Sequence, residues 1–529
     1  MGSRHYSDLK HAITLVGIEK TQGRRKWTAG GFSDFVCLRF EPDRLSLRDI
    51  DQQEQAPKVH AIGHLRFVKA FSFGRERPRI VLWSRLAPDR STAELFPGIS
   101  ATTDEGEVLY SSNSLITYTL RQLLARGWLH YKGGQWQVDI ATGESEWRQR
   151  SVAVLDFLSA ENRLHLYAMP GQPPPAFDDL AGVHPTEDLI PMDRLGYVRE
   201  LVWRENPLAA FNTAYFLLEH NDFLSHHSAL GQPYNLFISG GVIQRPPLYR
   251  RSTLYQRNDG SWCIAMFGME DIALQLGSSS PAFVVDRPAP VTLYTRRWAI
   301  SEQNRVIGFT PPAAHRHEFT IIDRQVLGYK QGGGLEIPQN GFILSFDRDA
   351  LTPPLLAALQ TGRVEYGWRE EEYRGIRQAI QVGPRLLQGG DIALSTHSLA
   401  DEDFWIDRRG PDGALELGVV PSDYPDDVDL TRAGRVGVGI DAGGSLLVGV
   451  MMGAETRGVK HPELDSAGAT LVELAEFLQE MGAVDAVNMD GGGSSQLFYL
   501  GGLTTVPGNR LGLQSVHYER MVPSIGVVA

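Results

Sequence analysis

Cysteine is nearly missing from this chain: 529 residues hold only Cys37 and Cys263. That excludes a disulfide framework and a cysteine-based zinc site. Positive charge is also in deficit. With 51 Lys and Arg against 63 Asp and Glu, the formal net charge is −12, which offers no general attraction to nucleic acid or an anionic membrane. No apolar run approaches the roughly 18–20 residues needed to span a bilayer. The opening Met1-Gly-Ser-Arg-His5 shows no signal-peptide stretch, so a cytoplasmic protein or an exported one with its leader removed is expected. No internal repeat is visible. The histidines His226-His227 and His315-Arg-His317 lack an H-E-x-x-H helix or spaced carboxylates, and no metal site is assigned to them.

What is present is an ordinary globular composition, 42% hydrophobic and 22% charged, in a chain long enough for two domains. Residues 1–170 lean towards strand, with short β-rich runs at Phe35–Phe40, His64–Phe73 and Arg79–Leu86. One amphipathic helix is expected over Ser114–Ala125, and a hairpin over Trp128–Val138 turning at Gly133-Gly134. The Pro-rich and then acidic stretch 171–194 reads as a linker. Residues 1–170 are therefore expected to form a smaller β-rich N-terminal domain of no assigned role. Residues 195–529 alternate many short strands with few helices, which suggests an α+β domain with a large mixed sheet. The arginines Arg245, Arg250, Arg251 and Arg257 read as a solvated basic loop rather than a phosphate cradle.

The stretch Val487–Leu500 stands out. A strand-like run delivers Asp490 into Gly491-Gly492-Gly493-Ser494-Ser495, and a second apolar run follows at once. Three consecutive glycines are entropically costly. They make sense where backbone approaches a ligand closely or where N–H groups converge on an anion. Upstream, Thr470-Leu-Val-Glu473 has capping-box spacing, Leu471, Leu474, Ala475 and Leu478 recur at helical period, and Gly482 suits the stop. Because the glycine loop opens no helix, neither a Walker loop nor a dinucleotide fingerprint is indicated.

Taken with other segments, this stretch resembles the phosphodiester glycosidase domain family. The motifs are Arg435-Val-Gly-Val-Gly-Ile-Asp441, Ser466-Ala-Gly-Ala-Thr470-Leu-Val-Glu473-Leu-Ala475 and Asn488-Met-Asp490-Gly-Gly-Gly-Ser-Ser495. Gly383-Pro-Arg385-Leu-Leu387, Ile337–Ser345, Leu293-Tyr-Thr295, Asn212–Phe216 and Glu519–Gly526 follow the family's order across about Leu195 to Ala529. Thr213 and Ala214 depart from the family's small or glycine positions.

The resemblance implies a hydrolase that cleaves at an anomeric carbon, with a sugar 1-phosphodiester of the GlcNAc-1-phosphodiester type as the first substrate class. A hydrolase of ordinary O-glycosides and a non-catalytic glycan-binding protein stay open beside it. A departing phosphate is a weak base, so the chemistry asks for donors at phosphate and a carboxylate near the anomeric carbon. Asp490, Asp441 and Glu519 are the catalytic candidates, although Asp441 also suits a hairpin turn and Glu519 an ion pair. Asn212, Arg385, Arg435, Arg520 and Gly491 to Ser495 are the substrate-binding candidates. No cofactor is expected. Oxygen ligands leave little spacing signature, so calcium or magnesium at the aspartates stays open. The expected partner is a carbohydrate or sugar phosphate, with the oligomeric state unassigned.

Overall fold

The computed structural model describes residues 5–27, 31–50, 198–217, 232–298, 308–395, 398–409, 415–419, 431–453, 465–508, 519–520 and 522–529, with short strands between 64 and 138. It is β-rich with few helices, the α+β class expected. The strands form several sheets whose pairs are antiparallel except one.

The sheet that carries the glycine loop is eight-stranded. Its core order is Ile18–Trp27, Phe32–Phe40, Leu446–Met451, Arg435–Asp441, Ala483–Asn488 and Arg385–Gln388. On the strand Arg435–Asp441, Val436, Val438 and Ile440 turn to one face, where they pack with Phe211, Leu497 and Val528 of a second sheet. On the other face a helix lies over Gly437. Gly437 and Gly449 sit opposite each other in register. A Cβ on Gly437 would lie 2.7 Å from Leu478 Cδ1, and one on Gly449 2.8 Å from Leu478 Cδ2. The helix Leu471–Glu480 thus rests almost on the backbone of the sheet. Its capping box forms as expected: Glu473 N–H donates to Thr470 Oγ1 (3.2 Å) and Thr470 N–H to Glu473 Oε2 (3.0 Å). Leu471, Leu474, Phe477 and Leu478 fill the layer with Trp27, Phe35 and Met451.

The second sheet orders Leu497–Tyr499, Ala209–Asn212, Ser524–Val528 and Leu45–Asp49. Both sheets therefore contain strands from the first 50 residues. Phe32–Phe40 pairs with Leu446–Met451, and Leu45–Asp49 pairs with Ser524–Val528. This corrects the expected boundary. Residues 5–49 are not part of a separate N-terminal unit, because their ladders and their apolar faces are completed only by the C-terminal strands. Within the remainder, the hairpin Leu129–Lys132 with Gln135–Val138 forms as expected. Tyr118–Thr119, expected in a helix, is a short strand paired with Leu95 and Glu94. The rest of that helix and the linker 171–194 lie outside the described residues.

Cys37 and Cys263 are both free thiols, and burial pushes Cys37 up to about 12. The expected solvated basic loop holds only for Arg250 and Arg257, which are exposed; Arg251 is buried over Phe404, and Arg245 is buried against Asp49. No helix of the described residues is long and apolar enough to cross a membrane.

Candidate active site

The strand Ala483–Asn488 ends by handing its chain to two neighbours. Met489 N–H donates to Val436 O (2.8 Å) and Asp490 N–H to Thr213 O (2.9 Å), so Asp490 sits where the two sheets meet. A Cβ on Gly491 would stand 2.7 Å from Gly434 O, which leaves glycine as the residue that fits. Gly492 has φ +58° and donates its N–H to Gly434 O (2.6 Å). Gly492–Ser494 then forms one 3-10 turn, closed by Ser494 N–H to Gly491 O and Ser495 N–H to Gly492 O.

Asn212 clamps this loop from the second sheet. Its Nδ2 donates to Asp490 O (2.7 Å), and its Oδ1 accepts from Gln496 N–H (2.9 Å). Both ends of the amide serve backbone, so Asn212 positions the loop that carries Asp490. Four of the amides of residues 491–495, expected as donors to an anion, are used within the protein. Those of Gly492, Ser494 and Ser495 bond backbone carbonyls, and that of Gly491 turns to the Asp490 carboxylate.

The charge balance at Asp490 is the notable property of the site. Burial pushes its carboxyl up to about 6, against the opposing pull of the Ser494 hydroxyl, Arg520, the Gly491 amide and Arg435. Its Oδ2 is buried without a hydrogen-bond partner, and so are Thr213 Oγ1, Asn488 Oδ1, Ser495 Oγ and Gln496 Oε1 on neighbouring residues. Buried polar atoms are nearly always satisfied in folded proteins. Among the described residues, five unpartnered atoms fall on this loop and on the strand ends beside it. Tyr215 borders it. Its hydroxyl donates to Gly383 O (2.8 Å) and accepts from Asn488 Nδ2 (2.6 Å), and burial and the Asp490 charge both raise its pKa.

Of the expected residues, the structure brings Asp490, Ser494, Arg435 and Arg520 together with Asn212. Arg520 Nη1 reaches Ser494 Oγ at 3.5 Å, and Arg435 is braced by Ala469 O and Thr431 O. Arg385 and Asp441 are not part of the group. The Arg385 guanidinium bonds Asp485 Oδ1 (2.7 Å), Leu387 O and Ile264 O, turned towards the start of the strand that Asp490 follows. Asp441 accepts from Gly443 and Ser445 N–H in a hairpin turn and pairs with Arg39. It lies six residues from Arg435 along one extended strand, or roughly 20 Å at about 3.3 Å per residue. Glu519 is buried, its Oε1 paired with Arg199 and its Oε2 without a partner.

Sequence reasoning passed over Thr213, Tyr215, Arg199 and Glu402. Glu402 is 2% exposed and accepts the N–H groups of Ser252 and Arg385 (2.8 and 2.7 Å). A Cβ on Gly383 would lie 2.5 Å from its Oε2, so it backs the carbonyl that holds Tyr215. Its one legible signal was an acid pair, Glu402-Asp403, followed by aromatics. Among the described residues no cluster of three or more His, Cys, Asp or Glu could hold a metal ion. His315 contacts Asp347 and His317 contacts Tyr329, while His226 and His227 lie outside the described residues.

The site is thus a buried carboxylate beside two arginines, at a loop between sheets. The family comparison is in keeping: residues 319–529 match the phosphodiester glycosidase family, so the resemblance read from the sequence is shown over that stretch. Among curated proteins none matches. Among solved structures, the chain is similar to a putative exported protein of Burkholderia pseudomallei, at 16% identity and TM-score 0.42, with 99% of this chain and 96% of that one covered. It is similar to a hypothetical protein of Synechocystis at 12% identity and TM-score 0.36, covering 99% and 81%. It is also similar to the zebrafish N-acetylglucosamine-1-phosphodiester alpha-N-acetylglucosaminidase catalytic domain auto-inhibited by its pro-peptide. That likeness has 15% identity and TM-score 0.33, covering 63% and 67%. These structural likenesses are too distant to carry residue roles across.

Proposed function

We propose that the protein hydrolyses a sugar 1-phosphodiester at the anomeric carbon, with Asp490 at the reacting centre. The observation that carries this is the Asp490 carboxylate itself: raised to about 6 by burial, one oxygen without a partner, and close to the charges of Arg520 and Arg435. A diester phosphate is a permanent anion, and guanidinium groups suit it in charge and shape. With the phosphate held by Arg520 and Arg435, the sugar carbon stands beside Asp490. Ionised Asp490 takes a proton from water as the water oxygen bonds the anomeric carbon. The bond from that carbon to the phosphate oxygen breaks, and its electron pair leaves with the phosphate monoester. Because that leaving group needs little protonation, one well-placed base and fixed positive charge are enough to run the step.

The test is a panel of GlcNAc, mannose and glucose 1-phosphodiesters beside the matching aryl glycosides. Cleavage of a diester, with Arg435→Gln or Arg520→Gln cutting kcat/KM by about 10–10³-fold on it, is the expected result. Preference for the neutral aryl glycosides, with no penalty from either substitution, would favour an ordinary O-glycoside hydrolase. Binding of glycans without turnover of any substrate would favour a lectin-like role.

A further inference from the structure

Just outside the site, the helix Val198–Glu205 is two-faced. Val198, Leu201 and Val202 are buried, while Arg199 and Trp203, four residues apart, share the outer face. Trp203 is 69% exposed, the most open large apolar side chain among the described residues. Tryptophan is rarely left so open. It is not a loose side chain either: the Arg199 guanidinium lies 5.6 Å from its ring centroid. The same guanidinium pairs with Glu519, whose side chain is 4% exposed and keeps Oε2 buried and unpartnered. The next residue along the backbone, Arg520, reaches Ser494, and its charge acts on the Asp490 carboxylate. The segment Glu519-Arg520 therefore links the reacting centre on one side to an open aromatic face on the other.

We propose that Trp203 and Arg199 form an outer subsite for a pyranose ring of a glycan that extends past the scissile diester. An indole face with a guanidinium at its side is what a sugar ring asks for. Its axial C–H face packs on the aromatic ring, and its hydroxyls accept from the fixed N–H fork. Arg520, Glu519 and Arg199 stand between the reacting centre and Trp203, so the ring on Trp203 belongs to a longer chain and not to the bond being cut. This placement rests on Asp490 marking the cleavage point.

Two measurements separate the subsite from the proposed activity. The first is calorimetric binding of neutral hexasaccharides (chitohexaose, mannohexaose and maltohexaose) to the wild type, Trp203→Ala and Asp490→Asn. One of them is expected to bind the wild type and Asp490→Asn alike, and to bind Trp203→Ala about 10-fold more weakly, the scale of one aromatic contact. The second compares kcat/KM on a methyl diester of a sugar 1-phosphate with kcat/KM on the same diester carrying a hexasaccharide alcohol. The long-to-short ratio is expected to fall about 10-fold in Trp203→Ala. Unchanged hexasaccharide binding in Trp203→Ala, absence of hexasaccharide binding by the wild type, or an unchanged ratio each overturns the subsite. Should no diester be cleaved while Trp203→Ala still loses the hexasaccharide, the activity falls and the subsite stands.

Discussion

Asp490 is held between opposing influences, and its titration should be visible in both turnover and stability. Acting as an ionised base with a carboxyl near 6, it should make kcat/KM rise with pH through about 6 and level off above it. Asp490→Asn keeps the shape and is expected to cost about 10²-fold or more in turnover and to remove that acid limb. Stability moves the other way. The native carboxyl binds its proton more tightly than the unfolded chain does. Stability is therefore full below the ordinary value of 3.8 and falls as pH rises towards about 6. About two units at roughly 1.4 kcal/mol each bound the loss at about 3 kcal/mol. Asp490→Asn should accordingly raise Tm at pH 8 and have little effect near pH 4, read by thermal denaturation at both pH values. A Tm equally shifted at both would assign the change to lost contacts instead. At this scale the sequence was partly legible. Asp490 could be picked out because a lone carboxylate entering three glycines is a local signal. Arg385 and Asp441 looked equally promising and are occupied by Asp485, Arg39 and turn amides. Which arginine is already paired depends on neighbours that no local pattern names.

Among the elements, the helix Leu471–Glu480 was the most readable, since its capping box and apolar period are both local, and the strand Arg435–Asp441 carries Gly437 where that helix meets it. The glycines also predict how close the helix comes. Gly437→Val would drive a branched side chain into Leu478, and overpacking of this kind is expected to destabilise the fold by about 1–3 kcal/mol in urea unfolding. Asn212→Ala tests the other side of the loop. It strips the partners from Asp490 O and Gln496 N–H, each a buried group whose desolvation goes uncompensated. Its activity should fall, and kcat should suffer more than KM, because the loop that carries the base loosens. A loss confined to KM would return Asn212 to the substrate contacts. What the sequence could not show was which strands sit beside these. Phe32–Phe40 reads as a strand on its own pattern. Its partner, Leu446–Met451, is some four hundred residues away, and pairing at that distance leaves no periodic trace.

On the scale of the molecule, the strands before residue 50 and those after residue 430 complete one another. A fragment starting at residue 195 would lack Phe32–Phe40 and Leu45–Asp49 and would uncover the strands they pair with. It is expected to be insoluble or to lack a cooperative unfolding transition. The chain also leaves and re-enters this unit at nearly the same place. Ile50 N–H bonds Pro523 O (2.7 Å), Arg48 pairs with Glu205, and Ile50 and Val198 share one apolar cluster. The chain thus leaves the described strands after Ile50 and rejoins them at Val198 through one doorway. Once such a loop is closed, each doubling of its length adds only about 0.6 kcal/mol of closure entropy. A short Gly-Ser bridge from Ile50 to Val198 should leave a folded host with its glycine loop in place, and an unrelated domain with adjacent termini should be accepted at the same doorway. The lineage of this chain would then have been free to exchange what it carries at that port while its chemistry stayed fixed.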